Sequence, residues 1–291
     1  MLPHLRQSLT WILAAAGKAM GTREYVGAPD NRSLSDDGLY IAIVNKALSE
    51  PRVFREFKWH PHYRKILEHT TYRRGLAYLE VIRAQAPDFL DRIDELKAND
   101  LVGGSSKMHY EGIGEISPST LRYIKVASDL RQLFGAHIGE RVAEIGVGYG
   151  GQMLIADKLL SFSEYHLFDL PPVLTLASKY LECHNLKSSY QLKTLNQHPG
   201  DIEYDLVVSN YAFSELPSKL QLQYLKKIMC RAKKGYLIMN SGTKDSLFQQ
   251  DKLLVSELRE FLPLFQVAPE EPLSSPGNFL ITWGTAHPQS T

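Results

Sequence analysis

Apolar residues in the first part of this chain recur at helical spacing. Leu39, Ala42 and Ile43 follow Asp36 and Asp37, a pair suited to a cap, and Pro51 closes that segment. Pro61 opens a helix carrying Tyr63, Ile66 and Leu67, and Leu76, Leu79 and Ile82 keep the period. Pro87 opens another with Leu90, Ile93 and Leu96, each proline standing at a first-turn position where its missing N–H costs little. Gly103 to Ser119, rich in Gly and Ser, reads as a long loop. Ser117 and Pro118 then stand as N-cap and first residue of a helix running through Leu121, Ile124, Ala127 and Leu130 to Gly135.

Beyond that point the period changes. Short β-type runs at Arg141 to Ile145, Tyr165 to Phe168, Tyr190 to Lys193, Asp205 to Ser209 and Gly235 to Met239 alternate with helical ones. Such alternation predicts an α/β fold whose parallel sheet is covered on both faces, with its ligand site at the carboxyl ends of the strands. After a last helix near Leu253 to Leu262, the runs Phe265 to Val267 and Phe279 to Trp283 read as a terminal antiparallel hairpin.

Composition narrows the class. The chain has 291 residues, 44% hydrophobic and 22% charged, which excludes a disordered or collagen-like polymer. Its net charge of +1 is locally balanced as well: Met1 to Glu115 holds 16 basic and 15 acidic residues, and the remainder 17 of each. No basic lobe is present to hold a nucleic acid by its phosphates. Cys183 and Cys230 lie far apart without metal-ligand spacing, and are expected as buried thiols of a reduced, cytoplasmic protein with no structural metal. The apolar run Trp11 to Ala16 is too short for a membrane span and a poor fit to a signal peptide.

The strongest chemical signal is Val142-Ala143-Glu144-Ile145-Gly146-Val147-Gly148-Tyr149-Gly150-Gly151-Gln152, where a strand ends in a glycine loop and a helix begins. Glycine lets the backbone turn tightly and approach a ligand closely. Gly146, Gly148 and Gly151 also satisfy the dinucleotide fingerprint, and Asp169 ends the next strand at a distance suited to a ribose diol, so the loop alone fits either of two nucleotide cofactors. Glu144 is expected at the mouth of the site, where it would meet a cationic group such as the ammonium of S-adenosylmethionine and repel a pyrophosphate.

With these residues in view, the sequence resembles the class I S-adenosylmethionine-dependent methyltransferases, and within them the sugar O-methyltransferase family. The closer resemblance lies in Ile116-Ser117-Pro118-Ser119-Thr120-Leu121-Arg122-Tyr123-Ile124-Lys125-Val126, in Ala143 to Gln152, and in Ser209-Asn210-Tyr211-Ala212-Phe213-Ser214-Glu215-Leu216. Phe168-Asp169-Leu170-Pro171 adds to it. It covers the chain from about Tyr110 onward.

The resemblance implies a Rossmann-like seven-stranded sheet with its last hairpin antiparallel, a methyltransferase domain over 116–291, and a helical N-terminal cap over 1–115. It implies that backbone groups of Gly146, Gly148 and Gly150 line the methionine end of the cofactor, that Asp169 accepts the ribose hydroxyls, and that Leu170 packs on the nucleoside. Asn210 is a candidate for the cofactor ammonium or the acceptor, and Arg122 for the cofactor carboxylate. Ser119 and Thr120 are weaker candidates that also suit the helix cap.

The implied reaction is methyl transfer to a sugar hydroxyl by in-line displacement with a general base. Glu215 is the candidate base, desolvated by Tyr211 and Phe213, with His109 and Glu111 in reserve. His60 and His62 read as surface histidines. Methylation of a phenol or carboxylate, an NAD-dependent oxidoreduction, and a non-catalytic Rossmann-like module are the rival readings.

Leu5, Leu9, Ile12 and Leu13 share one helical face, which would dock on the chain's own body or form a homodimer. Light scattering is expected to find a monomer for a variant beginning near Asp30 and a dimer for the full chain. A monomer in both cases assigns the stripe to the chain's own body.

Overall fold

The computed structural model describes residues 38–240, 252–262 and 264–285. The stripe at Leu5, Leu9, Ile12 and Leu13 and the cap expected at Asp36 and Asp37 lie outside them. The described chain opens with α1 (Leu39–Ser49) and α2 (Pro51–Glu56), then α3 (Pro61–Ile66) and α4 (Tyr72–Gln85). Proline begins α2 and α3, and Thr71 caps α4 by accepting the Arg74 N–H at 3.4 Å. Pro87 starts a 3₁₀ turn, Pro87–Arg92, that runs into the short α5 (Ile93–Leu96) and a second 3₁₀ turn, Lys97–Asp100.

The stretch expected to be all loop contains a small hairpin, β1 (Met108–Tyr110) with β2 (Gly114–Ile116). Gly112 and Gly114 take the positive φ that turns it, and three-residue strands are too short to show an alternating pattern. α6 (Pro118–Phe134) follows as expected, with Ser117 Oγ accepting the Thr120 N–H at 3.1 Å and Gly135 after its last turn.

The main sheet is built from β3 (Arg141–Ile145), α7 (Gly151–Leu159), β4 (Glu164–Phe168), α8 (Pro171–Leu181), β5 (Ser189–Lys193), β6 (Tyr204–Asn210), α9 (Ala212–Glu215), α10 (Ser218–Lys227), β7 (Ala232–Met239), α11 (Val255–Leu258), β8 (Gln266–Pro269) and β9 (Phe279–Trp283). Its order is β5-β4-β3-β6-β7-β9-β8, parallel except where β9 runs against both β7 and β8. This is the Rossmann order with an antiparallel strand inserted before the last, the Rossmann-like class I methyltransferase sheet. Each expected strand is present to within a few residues. The last helix is shorter than its apolar run.

Alternate residues of the strands feed two cores. Val142, Leu167, Leu206 and Ile238 join one cluster with Leu121 of α6, Met153 of α7 and Leu181 of α8, while Ala143, Ile145, Val207 and Leu237 join another with Leu225 of α10. The first cluster also contains Val44, Phe57, Tyr63, Leu79 and Leu96, so the N-terminal helices share a core with the sheet domain. α4 packs on α6, and α1 on α8. That packing places the helical segment beside the carboxyl ends of β3 and β4.

Both cysteines depart from expectation. Cys183 follows the end of α8 and Cys230 lies in the turn after α10, each exposed, because both sit at helix ends beyond the apolar stripe.

Candidate active site

A cavity of about 1020 Å³ opens where β3, β4, β6 and β7 end. From the sheet side it is lined by Gly146, Gly148, Asp169, Leu170, Asn210, Tyr211 and Glu215, and Arg122 reaches it from α6. Eight of the candidate residues singled out in the sequence thus meet in one place. Glu144, Gly150 and His109 lie elsewhere, as do Ser119, Thr120 and Glu111.

The glycine loop turns by necessity. Gly146 has φ 78° and a Cβ there would stand 2.0 Å from that of Ala212, at the start of α9; its N–H donates to the Phe168 carbonyl at 2.8 Å. Gly148 has φ 54° and lies under Leu67, whose methyl carbon would be 2.8 Å from a Cβ. The N-terminal helices therefore close directly over the loop. Gly150 does not reach the cavity: its N–H donates to the Val147 carbonyl at 2.9 Å and its α-carbon backs onto Leu181, so it serves the entry into α7.

The N-terminus of α7 is itself covered. A Cβ at Gly151 would stand within 2.7–2.9 Å of Tyr123, Tyr149 and the Asn99 side chain. A side chain at this position would therefore collide with its neighbours, which makes Gly151 a packing requirement of the start of α7.

Asp169 follows β4. Its carboxylate accepts the Gly148 N–H at 3.1 Å and the Leu170 N–H at 2.7 Å. Burial pushes this carboxyl up to about 6 against those backbone donors. Each oxygen keeps a lone pair for a ligand hydroxyl.

At the end of β6, the Asn210 amide donates to Gln152 Oε1 at 3.3 Å, and Gln152 donates to the Tyr123 carbonyl at 3.3 Å. This leaves Asn210 Oδ1 buried and without a partner at the cavity wall. Arg122 is also buried; one Nη donates to the Leu67 carbonyl at 3.2 Å, and its Nε has no partner. Asn210 and Arg122 thus both line the cavity, and each carries a buried polar atom without a partner in the protein, which is costly unless something completes it.

Tyr211 is the one non-glycine with positive φ, 70°, among the described residues. Its N–H donates to the Ile238 carbonyl at 2.9 Å and its hydroxyl to Glu270, so the turn at the mouth of β6 is pinned at both ends. Glu215 stands one helical turn on, its Oε1 accepting from Asn240 Nδ2 at 3.0 Å. Burial raises its pKa, while the nearby Lys252 ammonium and the Asn240 bond oppose the rise. It does not cap α10, which has no side-chain cap.

Glu144 corrects an expectation. It shares the sheet face of Val142, the face packed against α6 to α8, and so points into the core rather than to the mouth of the site. Tyr165 Oη donates to it at 2.9 Å. Burial pushes its carboxyl up to about 8, with the Tyr165 bond opposing and the Asp169 charge adding.

His109 is displaced for a similar reason. On β1 its neighbour Tyr110 turns inward to stack on Tyr72, so His109 faces solvent, and Glu111 is exposed on the same hairpin. Thr120 belongs to the helix cap and a buried network, and Ser119 is buried beside Glu68. His60 serves the start of α3, its ring nitrogen accepting the His62 N–H at 3.4 Å. No group of three possible metal ligands occurs among the described residues.

Sequence reasoning missed Tyr40, His69, Arg74 and Tyr78 from the N-terminal segment, Asn196 and Gln197 after β5, and Asn240, Ser274 and Asn278 beyond β7. None sits in a motif. Only the closure of the helices over the sheet brings them to the cavity.

No family model and no curated protein matches this chain. Solved structures do resemble it. An rRNA methylase from Streptococcus thermophilus is 17% identical over 55% of this chain and 95% of its own, with a TM-score of 0.39. The methyltransferase domain of the bacterial CtHen1-CN is 14% identical over 55% and 96%, with a TM-score of 0.40. EvdMO1 is 18% identical over 67% of this chain and 46% of its own, with a TM-score of 0.43. The fold stands on the strand order, and the chemistry has to come from the residues at the cavity.

Glu144 sets a pH dependence. Its folded value, about 8, lies above its ordinary 4.5. The stability it contributes is therefore present in full below about 4.5 and is lost as pH rises towards 8. Glu144→Gln is expected to flatten the stability curve across that window and to exceed the parent protein at pH 8 by on the order of 1 kcal/mol or more in urea unfolding. Parallel curves for the two proteins would mean that the carboxyl is ionised in the fold.

Proposed function

We propose that this chain is an S-adenosylmethionine-dependent O-methyltransferase that acts on a hydroxyl of a sugar or a glycosylated small molecule. One observation carries the cofactor reading: Asn210 and Arg122 line one cavity, and each has a buried polar atom, Oδ1 and Nε, without a partner in the protein. An amino-acid end with an ammonium and a carboxylate supplies what each lacks. Asp169 suits a ribose diol, Leu170 gives an apolar wall for the nucleoside, and Asn196 and Gln197 offer amides to an adenine. When bound, the cofactor supplies a methyl group on a sulfonium.

The chain's own residues have three tasks. Asn210 and Arg122 orient the amino-acid end, the close contact of Leu67 with Gly148 keeps water from that stretch of the loop, and Glu215 takes the acceptor's proton at its carboxylate. A sugar hydroxyl is a weak acid, so a carboxylate with a raised pKa suits the task. Arg74, His69, Ser274, Ser275 and Asn278 give the remaining wall the polar lining a polyhydroxylated acceptor needs. A dinucleotide cofactor is the rival reading, and ligand-induced stabilisation separates the two. The homodimer remains a proposal from the N-terminal stripe.

S-adenosylmethionine and S-adenosylhomocysteine are expected to raise the melting temperature, and NAD and NADP to leave it unchanged, since only ligands of the folded state shift it. Stabilisation by NAD alone would overturn the methyltransferase reading. With an acceptor identified by labelled-methyl transfer into a host extract, Glu215→Gln is expected to lower turnover by about 10²–10⁴-fold with cofactor affinity intact. Turnover near that of the parent protein would remove Glu215 as the base.

A further inference from the structure

The loop between β8 and β9 folds back over the cavity and joins a closed ring of hydrogen bonds. Tyr211 Oη donates to the Glu270 carboxylate, which also accepts Ser274 N–H at 3.0 Å and Ser274 Oγ at 2.5 Å. Asn278 Nδ2 donates to Ser274 Oγ at 3.0 Å and to Asn240 Oδ1 at 3.4 Å. Asn240 N–H donates to Ser214 Oγ at 2.9 Å, and Ser214 Oγ donates to the Tyr211 carbonyl at 2.6 Å, which closes the ring. The Arg74 guanidinium ties the loop to α4 by donating to the Ser274 carbonyl.

The ring has a direction, and Glu270 sets it. A buried carboxylate can only accept, so Ser274 spends its hydroxyl proton there and presents Oγ as an acceptor to Asn278. The Asn278 amide must then donate to Asn240 as well. With its oxygen so engaged, Asn240 turns its NH₂ outward from the ring, onto Glu215 Oε1 at 3.0 Å. The reverse orientation would set two NH₂ groups against each other and a carbonyl oxygen against a carboxylate.

We propose that Asn240 is the positioning residue that holds Glu215 as a proton acceptor, and that Asn278 and Glu270 fix the direction of its amide. This rests on the reading of Glu215 as the base. The geometry favours the ionised carboxylate, because the Asn240 amide offers Glu215 a donor and no acceptor. Other groups act on the same carboxyl: Lys252 faces it from the segment before α11 and holds it down, while burial holds it up. His69, Arg74 and Tyr78 share the cavity from the N-terminal segment, Arg122 from α6, Asp169 and Tyr211 from the strand ends, and Tyr224 from α10. Asn240 is neutral and bonds Glu215 directly, so its removal takes away that hydrogen bond and leaves every charge in place.

The test is carbon-13 NMR of the full chain with its glutamate carboxyl carbons labelled, the Glu215 signal being identified by its loss in Glu215→Gln. Asn240→Ala is expected to raise the Glu215 titration by about one pH unit, and to move the acid limb of turnover with it. Asn278→Ala, which does not touch Glu215, is expected to shift it the same way by less. A Glu215 titration unmoved in the folded variants overturns the proposal, since an Asn240 that merely supported the fold would alter melting temperature alone. Full turnover in Glu215→Gln is a separate result, read in a separate assay, and removes the base assignment.

Discussion

The buried side chain of Asn99 has to satisfy every one of its polar atoms inside the protein, and the site is assembled around the way it does so. Its NH₂ donates to Thr120 Oγ1 at 2.7 Å and to Tyr149 Oη at 3.1 Å, and its Oδ1 accepts Tyr180 Oη at 2.8 Å. Its backbone carbonyl takes the Lys58 ammonium at 2.7 Å. An unfilled partner there would cost about 1–3 kcal/mol. Five elements are tied together as a result: the turn holding Lys58, the turn holding Asn99, the start of α6, the glycine loop and α8.

Lys58 shows what the arrangement has to overcome. It is almost wholly buried, its ammonium lying 4.0 Å from the Tyr149 ring centre and 4.7 Å from that of Tyr180. Burial pulls its pKa down to about 8, with Glu68 and Asp100 opposing. Asp100 in turn accepts Ser117 N–H at 2.6 Å and Thr120 Oγ1 at 2.7 Å, so the cap of α6 is part of the same network. Tyr149 is thereby held across the start of α7, and the glycine loop keeps its shape before any ligand arrives.

Much of this was legible along the chain because it depends on local pattern. The strands of the main sheet announce themselves through short apolar runs, the start of α6 through Ser117 and Pro118, and the sheet side of the cavity through glycines and Asp169 that must sit at strand ends. What stayed hidden depends on facing and on distance. Glu144 sits in the glycine-loop motif, yet its face of the sheet is decided by alternation against Val142. His109 loses its place to Tyr110 by the same rule in a hairpin too short to be seen. The cysteines lie past the ends of apolar stripes, and Arg74, Asn240 and Asn278 become neighbours only when the N-terminal helices and the last hairpin close on one cavity.

The position of that last hairpin has a consequence for biosynthesis. β9 runs between β7 and β8, and Asn278 stands immediately before it, 63 residues after Glu215 in the chain. A nascent polypeptide that has already made its glycine loop, Asp169 and Asn210 still lacks the strand that completes the sheet's edge and the loop that finishes the pocket. The glycine-loop half of the site is therefore synthesised well before the half that supports Glu215. Until the residues around Asn278 are made, the site lacks the side chains that hold Glu215 in place.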